Sequence, residues 1–397
     1  MMITVIVALL GLFLKSTDAR APLTTPLQLP LKTSSRWIVD SHGKRVKWSC
    51  VNWSGAAQKD GVVGGLQHQH RSEIAKVFAD MGFNCVRIPW SVQTVLQPHV
   101  VSNETLLGAN RDLIGKSTDE ILDAIVSACA KEHIMIIMDN HMSDADWCCS
   151  LNDENGLWYN DRWSESDWIH AHLKIATRYE NEPYVVAAEL RNELRAAVIN
   201  GTNLEPKWGG NDIRTDWKAA ALRASSAILK ARPEGLLIVL DNIAYSTDFR
   251  DLYKNPIVLP VSNRLVYSAH DYGWSQPQNQ STKEELFEYL GARWGYLVKQ
   301  NEVYTAPVWV SEFGTSHTGS GMDPNGWWTW LMEYLMSADF DFGYWRGDGT
   351  ESQGTGRTFG APALFGILNA TWNGPASNAT LLNALKPLQN PTQGPGL

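Results

Sequence analysis

The stretch TDEILDAIVSACAKEHIMIIMDNH, residues 118–141, carries the pattern that decides the fold. Apolar residues at helical spacing predict a helix over Thr118–Glu132. The continuous apolar run Ile134–Met138 follows at once, and such a run is typical of a strand that is buried on both faces of a parallel sheet. Polar residues come directly after this run, where the strand should end.

The same alternation of amphipathic stretches and short apolar runs recurs from Arg36 onward, which predicts βαβ units and a parallel sheet. The predicted strands are Val46–Val51, Cys85–Ile88, Ile134–Met138, Tyr184–Leu190, Leu236–Leu240, Leu265–Ser268, Val308–Val310 and Phe342–Trp345. The predicted helices are Glu73–Met81, Thr118–Glu132, Asp167–Tyr179 with Ser166 as its N-cap, Asp216–Ala231, Lys283–Lys299 and Gly326–Leu335. This arrangement predicts a single (β/α)8 TIM barrel over residues 36–372, with residues 373–397 as an irregular C-terminal extension.

The composition restricts the class of ligand. A formal net charge of −8 argues against a nucleic-acid-binding face, which needs basic residues, and it fits a neutral substrate. The 18 Trp residues are many for a chain of 397 residues. Most of them are expected in the core, although flat indole faces at a surface would also suit the rings of sugars.

The N-terminus predicts entry into the secretory pathway. The apolar run Ile3–Leu14 is too short to span a bilayer comfortably, and Thr17 and Ala19 are placed for cleavage of a signal peptide over residues 1–19. The absence of Lys and Arg before this run leaves a signal anchor as the alternative. We expect a secreted monomer without stable membrane association after cleavage.

Sequons and cysteines fit that route. Asn-x-Ser/Thr sequons predict a glycoprotein, with Asn52 the least suited because it lies on a predicted strand; they occur at Asn52, Asn103, Asn200, Asn279, Asn369 and Asn378. The five cysteines leave at least one unpaired. A bond between the adjacent Cys148 and Cys149 would be strained, so a bond from one of them to a distant cysteine is favoured. The cysteine spacing does not match a zinc site.

Candidate site residues stand at the ends of the predicted strands, because active residues of (β/α)8 enzymes cluster there. They are Arg87, His141, Asn192, Glu193, His270, Tyr272, Glu312 and Trp345. Glu193 and Glu312, at the fourth and seventh strands, could act as proton donor and nucleophile in glycoside hydrolysis. Arg87 would keep Glu312 ionised through its opposite charge, and Trp345 could form a floor beneath the sugar.

Each residue also has a structural interpretation. A Glu at a strand end can be an ion-pair partner, and His141 can be a hydrogen-bonded scaffold residue. An Arg within a strand is harder to explain in this way, because a buried guanidinium needs a carboxylate or several acceptors. A metal site built from His141 and His270 is disfavoured, because no ligand pair has motif spacing.

These motifs resemble glycoside hydrolase family 5, the cellulase-like family. Residues 189–194, ELRNEL, are similar to its acid/base motif, and residues 309–314, WVSEFG, are similar to its nucleophile strand. Arg87, the Asp139-Asn140-His141 triplet, the His270-Asp271-Tyr272 triplet and Trp345 match its arginine, histidine, His-x-Tyr and tryptophan positions. The resemblance extends from about Trp37 to Trp372.

The resemblance implies a retaining double displacement with Glu193 as acid/base and Glu312 as nucleophile, and with no metal or organic cofactor. It also implies that Asn192 binds the 2-hydroxyl of the sugar and that Tyr272 lies near the nucleophile. Leu194 stands where the family usually has Pro, a subfamily difference. Other segments of the sequence resemble a less-studied eukaryotic branch of the family that is related to plant members. The resemblance therefore does not imply that this chain has the substrate of the well-known cellulases.

The expected activity is therefore endo-hydrolysis of a β-linked polysaccharide, with β-glucan first and β-mannan second. A glycolipid glycosidase or a transglycosylase is a related alternative, in which Trp327, Trp328 and Trp330 could provide an apolar approach to the cleft. A non-catalytic carbohydrate-binding protein is an alternative of another class, although the presence of both Glu193 and Glu312 argues against it.

Overall fold

The computed structural model describes residues 27–149, 153–275, 281–316, 326–376 and 379–397. Within these ranges, eight parallel strands close into a barrel in chain order, which confirms the predicted (β/α)8 TIM barrel. The strands are β1 (Ser49–Asn52), β2 (Cys85–Ser91), β3 (Met135–Met142), β4 (Val185–Glu189), β5 (Leu237–Leu240), β6 (Leu265–His270), β7 (Val308–Phe313) and β8 (Asp341–Tyr344). The predicted signal peptide, Asn279 and Asn378 lie outside the described residues.

Helices cover the outside of this barrel. They are α1 (Arg71–Asp80), α2 (Val92–Leu96), α3 (Thr118–Lys131), α4 (Glu165–Arg178), α5 (Trp217–Ala231), α6 (Ile243–Ser246), α7 (Lys283–Arg293), α8 (Trp327–Ser337) and α9 (Thr380–Leu385). Between β5 and β6 the chain forms only α6 and the 3-10 turn Arg250–Tyr253. The short segment α6 contains residues with left-handed φ, Ala244 to Ser246, and lies at the C-terminal end of the barrel rather than on its outside. In the described part of the chain, every helix is too short or too polar to cross a membrane.

An N-terminal hairpin closes the opposite end of the barrel. Its strands, Lys32–Ser34 and Trp37–Val39, place Ile38 in the same apolar cluster as Trp309 inside the barrel. Full burial of a large apolar side chain stabilises a fold by about 1.5–3 kcal/mol. The barrel is therefore filled and covered at its N-terminal end, and the C-terminal end remains open for a site.

Most helix boundaries differ from the prediction by one or two residues, and the differences in α4 and α7 have a clear physical reason. The predicted start of α4 at Asp167 after Ser166 was wrong, because Ser164 is the N-cap: its hydroxyl accepts from the Asp167 N–H, and the Asp167 carboxylate accepts from the Ser164 N–H. Helix α7 ends at Arg293 instead of Lys299, because Trp294 leaves the helical region with φ −144° and a 3-10 turn, Gly295–Val298, follows.

The strands also run further than their apolar residues. Strand β3 continues to Met142 and β7 to Phe313, so His141 and Glu312 lie within strands. Pairing continues across the polar positions, for example between His270 and Glu312. In the segment predicted to be irregular, Thr380–Leu385 forms α9, and Ser49 donates to the Gln389 backbone oxygen at 2.8 Å.

The disulfides depart from the expectation. A bond joins Cys50 on β1 to Cys85 on β2, and a second joins the adjacent Cys148 and Cys149, which the sequence disfavoured. Cys129 is unpaired, as the odd count requires, and burial raises the pKa of its thiol to about 12. It is thus an inert core residue rather than a reactive thiol.

Candidate active site

The predicted site residues converge on one cleft at the C-terminal end of the barrel. The cleft has a volume of about 1830 Å³. Six of the eight predicted residues line it: His141, Glu193, His270, Tyr272, Glu312 and Trp345. The remaining two, Arg87 and Asn192, are buried behind this wall.

The two glutamates lie close together. Glu193 follows β4 with a left-handed φ of 46°, a conformation that costs about 1–3 kcal/mol in a non-glycine residue and is often found at functional sites. One carboxylate oxygen of Glu193, one of Glu312 and a ring nitrogen of His270 lie within 4.8 Å of one another. Retaining glycosidases have carboxyl groups about 5–5.5 Å apart, whereas inverting enzymes need about 6.5–9.5 Å. The pair therefore has the retaining geometry.

Arg87 connects the nucleophile candidate to the barrel interior. Its guanidinium donates to Glu312, and it contacts Glu189 with Nε–Oε2 at 2.6 Å and Asp139 with Nη2–Oδ2 at 3.0 Å. Burial acts to lower the pKa of Arg87, but the carboxylates of Asp139, Glu189 and Glu312 outweigh it and hold the pKa well above its ordinary value. Glu312 thus always faces a fixed positive charge.

Tyr272 holds the other oxygen of Glu312. Its hydroxyl donates to Glu312 Oε2 at 3.1 Å. Burial and then the charges of Glu312 and Glu193 raise the pKa of Tyr272 well above its ordinary value, so the phenol keeps its proton. A neutral donor on one side and a cation on the other leave Glu312 fixed and aimed into the cleft.

His270 and Glu193 form a proton-sharing pair. The His270 Nδ1 lies 2.9 Å from Glu193 Oε1. Burial lowers the pKa of His270, but Glu312 and Glu193 outweigh it and raise the pKa overall. Conversely, burial raises the pKa of Glu193, while the hydrogen bond and charge of His270 bring it below its ordinary value. These opposite shifts favour a carboxylate at Glu193 and an imidazolium at His270.

His141 and Trp345 form the floor of the cleft. Their rings stack with an interplanar angle of 2° and centroids 5.5 Å apart. The His141 Nδ1 lies 2.6 Å from Asp139 Oδ2, and burial lowers the pKa of His141 to about 3. Asp139 thus orients a neutral imidazole.

Asparagines fix the back of the site. Arg87 donates to Asn192 Oδ1 at 2.8 Å and to Asn52 Oδ1 at 3.0 Å. The Asn52 amide also donates to the backbone oxygens of Ser311 and Tyr344. Asn52 is fully buried, so this sequon cannot carry a glycan in the folded protein.

The sequence prediction missed a buried carboxylate layer and part of the cleft wall. Glu189 at the end of β4 and Asp241 after β5 are both fully buried; Asp241 Oδ1 lies 3.5 Å from His270 Nε2. Burial and then Glu189 raise the pKa of Asp241 well above its ordinary value. The sequence signal that could have identified both as candidate site residues is a charged residue directly after an apolar run. Cys148 and Cys149, which also line the cleft, had no such signal.

Most Trp residues lie in the core, as expected, but several form the cleft. Trp147, Trp163, Trp274 and Trp345 line it. Trp274 has 73% of its surface exposed and stacks on Tyr272 with centroids 5.2 Å apart. Trp327 and Trp328, considered above with Trp330 as an apolar approach, are instead buried in the core, and Trp330 is partly buried against it.

Among the described residues, the groups that could offer three metal ligands all belong to this site. They are Cys148–Cys149–Glu193, Glu189–Asp241–His270 and Glu193–His270–Glu312. The sulfurs of the first group are joined in a disulfide and so cannot act as thiolate ligands.

Two carboxyl groups at retaining distance in the cleft of a (β/α)8 barrel are the arrangement that a retaining glycoside hydrolase needs. The family model described as cellulase (glycosyl hydrolase family 5) matches residues 39–350, and the chain belongs to this family. It is thus a retaining O-glycosyl hydrolase, as the strand-end motifs predicted.

Relatives agree with this assignment. An endoglucanase of Paenibacillus polymyxa is 30% identical over 331 residues, which cover 79% of this chain and 78% of the relative. A glycosyl hydrolase 5 family protein of Chamaecyparis obtusa is 28% identical and covers 93% of this chain and 67% of its own length, which fits the predicted eukaryotic branch. A cellotetraose complex of the endocellulase of Pyrococcus horikoshii has 25% identity and a TM-score of 0.75, covering 92% of this chain and 100% of that one.

The contacts of Arg87 predict a large loss of stability. Arg87→Ala leaves buried carboxylates without their counter-charge, so we expect the free energy of unfolding to fall by about 3–5 kcal/mol. Denaturant titration measures this loss, and Arg87→Lys, which keeps the charge but not the planar fork, should lose less. In variant protein that folds, the acid limb of kcat/KM should move to higher pH. A loss below about 1 kcal/mol would contradict a charged network.

Proposed function

We propose that this enzyme is an endo-acting β-glucanase that works by double displacement, with Glu312 as nucleophile and Glu193 as acid/base. The observation that carries the proposal is the close approach of the two carboxyl groups, together with the different partners that each one has. An arginine and a phenol support an ionised carboxylate at Glu312, whereas Glu193 shares a proton with an imidazole.

In the first step, Glu312 attacks the anomeric carbon as the bond to the leaving oxygen breaks, and Glu193 gives that oxygen a proton. In the second step, water attacks the anomeric carbon of the glycosyl–enzyme ester, the bond to Glu312 breaks and releases its carboxylate, and Glu193 takes the proton of the water. The sugar that fills the cleft excludes water from Glu193. This desolvation disfavours the charged carboxylate and so returns the proton from His270 to Glu193.

Aromatic side chains on both sides of the carboxyl pair support endo action. Tyr245 and Trp274 come from the loops after β5 and β6, whereas Trp147 and Trp345 come from the regions after β3 and β8. In the closed barrel, β5 and β6 lie on one side of the line from β4 to β7, and β8 to β3 lie on the other. A polysaccharide could therefore stack on aromatic faces in both directions from the scissile bond.

The names of the relatives favour β-glucan as substrate. The Paenibacillus relative is an endoglucanase, and the Pyrococcus endocellulase has been solved with cellotetraose. The acidic surface of the present chain suits a neutral glycan rather than an anionic one. The burial of Trp327 and Trp328 and the packing of Trp330 against the core argue against the apolar approach that suggested a glycolipid substrate.

A polysaccharide panel tests this proposal. We expect the enzyme to release reducing ends from a β-1,4- or mixed-linkage β-glucan, with a rapid fall in viscosity because internal bonds are cut. The panel also contains β-1,3-glucan, β-1,6-glucan and mannan, and Glu312→Gln protein serves as the matched control. Product from mannan alone would replace the substrate assignment. Binding to a glycan without product from any of them would favour the non-catalytic carbohydrate-binding alternative.

We also propose that the protein is secreted through its N-terminal segment. Disulfides such as Cys50–Cys85 persist mainly in oxidising compartments, which supports this route. Asn103 and Asn200 are exposed and accessible for glycosylation.

A further inference from the structure

The Cys148–Cys149 disulfide lies against the acid/base candidate. Both cysteines are in the loop after β3 and line the cleft. The Cys149 Sγ lies 3.0 Å from Glu193 Oε2, and the Cys148 Sγ lies 3.9 Å from the same oxygen. The other oxygen, Oε1, faces His270 Nδ1 at 2.9 Å. The carboxyl of Glu193 is thus held between an imidazole and two sulfurs.

The two sides of this carboxyl differ in what they can donate. His270 offers an N–H to Oε1, whereas a disulfide sulfur carries no hydrogen and is only a weak acceptor. An ionised Oε2 therefore receives no hydrogen bond from the sulfurs, while a protonated Oε2 can direct its O–H along that wall or into the cleft. A hydrogen bond to the charged form would favour ionisation, so its absence on this side favours the acid form.

We propose that the Cys148–Cys149 disulfide is a positioning element for the acid/base carboxyl of Glu193, an inference that rests on the proposed function. Reduction by a dithiol breaks the S–S bond, adds two electrons and two protons to give two thiols, and oxidises the dithiol to its own disulfide. The new S–H groups can donate to Glu193 Oε2 and favour its carboxylate. Reduction therefore weakens proton donation to the leaving group.

Other groups around Glu193 remain unchanged in this reaction. The titratable and charged side chains that face it, from its own segment and from β3, β6 and β7, are Arg195, His141, His270, Tyr272 and Glu312. Reduction changes no covalent bond in any of these side chains. A shift of the alkaline limb of kcat/KM upon reduction therefore comes from a change at the cysteines, and the serine variant described below separates Cys148–Cys149 from Cys50–Cys85.

The test compares two substrates with oxidised and reduced enzyme. One is an oligosaccharide, whose departing hydroxyl needs a proton, and the other is an activated aryl glycoside, which does not. After treatment of the full-length protein with dithiothreitol, we expect kcat/KM on the oligosaccharide, measured above the pKa of Glu193, to fall about tenfold for each unit by which that pKa falls, because the protonated fraction falls in proportion, and kcat/KM on the aryl glycoside to change less than about twofold. The alkaline limb should move to lower pH, and reoxidation should restore both.

The double variant Cys148→Ser/Cys149→Ser is the matched control. Its hydroxyls can donate as thiols do, so it should match the reduced wild type and should not respond further to dithiothreitol. A further response would assign the effect to Cys50–Cys85 instead and would overturn the inference. Alkylation and mass spectrometry show which cysteines are reduced.

Reduction of the wild-type protein and the serine variant each test the inference when the other experiment fails. Wild-type protein that contains reduced Cys148 and Cys149 but keeps its substrate ratio and its pH profile would overturn the inference. If the pair resists reduction, the serine variant decides through the same two readouts. Inactivity of the oxidised enzyme on every glycoside would instead refute the proposed function itself.

Discussion

Glu312→Gln protein is expected to fold normally and to lose turnover by at least about 10³-fold, because loss of a catalytic nucleophile removes a step that no neighbour replaces. The amide oxygen of Gln can still accept a hydrogen bond from Arg87. Because Gln has nearly the same shape as Glu, its side chain should occupy the same position beside Tyr272. Arg87 also keeps its contacts with Glu189 and Asp139, so the guanidinium is not left unpaired. The loss should therefore appear in kcat and not in the unfolding midpoint.

Reducing-end assays on the best polysaccharide of the panel, with circular dichroism melts of both proteins, measure the two effects. Glu312→Ala with added azide gives a sharper test, because azide fits the space of the missing carboxylate and attacks from the same face. The product from an activated β-glycoside should then be the α-glycosyl azide. A β-glycosyl azide, or substantial activity of the Gln variant without azide, would refute the nucleophile assignment.

The sequence predicted the barrel well because its strands are buried on both faces. Runs such as Ile134–Met138 can hardly be anything other than interior strands, and their order fixes the topology. The predicted ends failed where polar residues continue a strand, as in β3 up to His141. The sequence pattern records only which residues are apolar. Hydrogen bonding between the backbones of neighbouring strands does not depend on whether a side chain is polar.

The candidate site was predicted to a similar extent. Strand-end motifs gave the residues that line the cleft, because the barrel brings the ends of all strands to one place. Contacts that depend on loop paths could not be obtained in this way. Tyr245 reaches the cleft through three consecutive left-handed residues, Ala244 to Ser246, and no turn signal such as Gly or Asn marks them. The prediction that Cys148 and Cys149 would not be joined was wrong, because it considered the strain of a bond between adjacent residues and not the surrounding structure.

Glu193→Gln protein is expected to separate substrates by their leaving groups. A general acid contributes about 10²–10⁴-fold, so kcat/KM on a polysaccharide should fall by that amount. On an activated aryl glycoside, kcat/KM should stay within about tenfold of the wild type, since this leaving group departs without a proton. The second step still needs a base, so kcat and KM on the aryl glycoside should fall together as the glycosyl–enzyme accumulates.

Azide also distinguishes Glu193 from the nucleophile, because the two alanine variants should give glycosyl azides of opposite anomeric configuration. In Glu193→Ala protein, azide can occupy the space beside His270 and attack the glycosyl–enzyme without a base, which should raise kcat on the aryl glycoside. Because Glu312 has already displaced the leaving group once, the second displacement should give the β-glycosyl azide, with the configuration of the substrate. An equal loss on both kinds of substrate, with no response to azide, would show that Glu193 shapes the cleft without transferring a proton. The anomer formed by each variant thus assigns both roles independently of their pKa values.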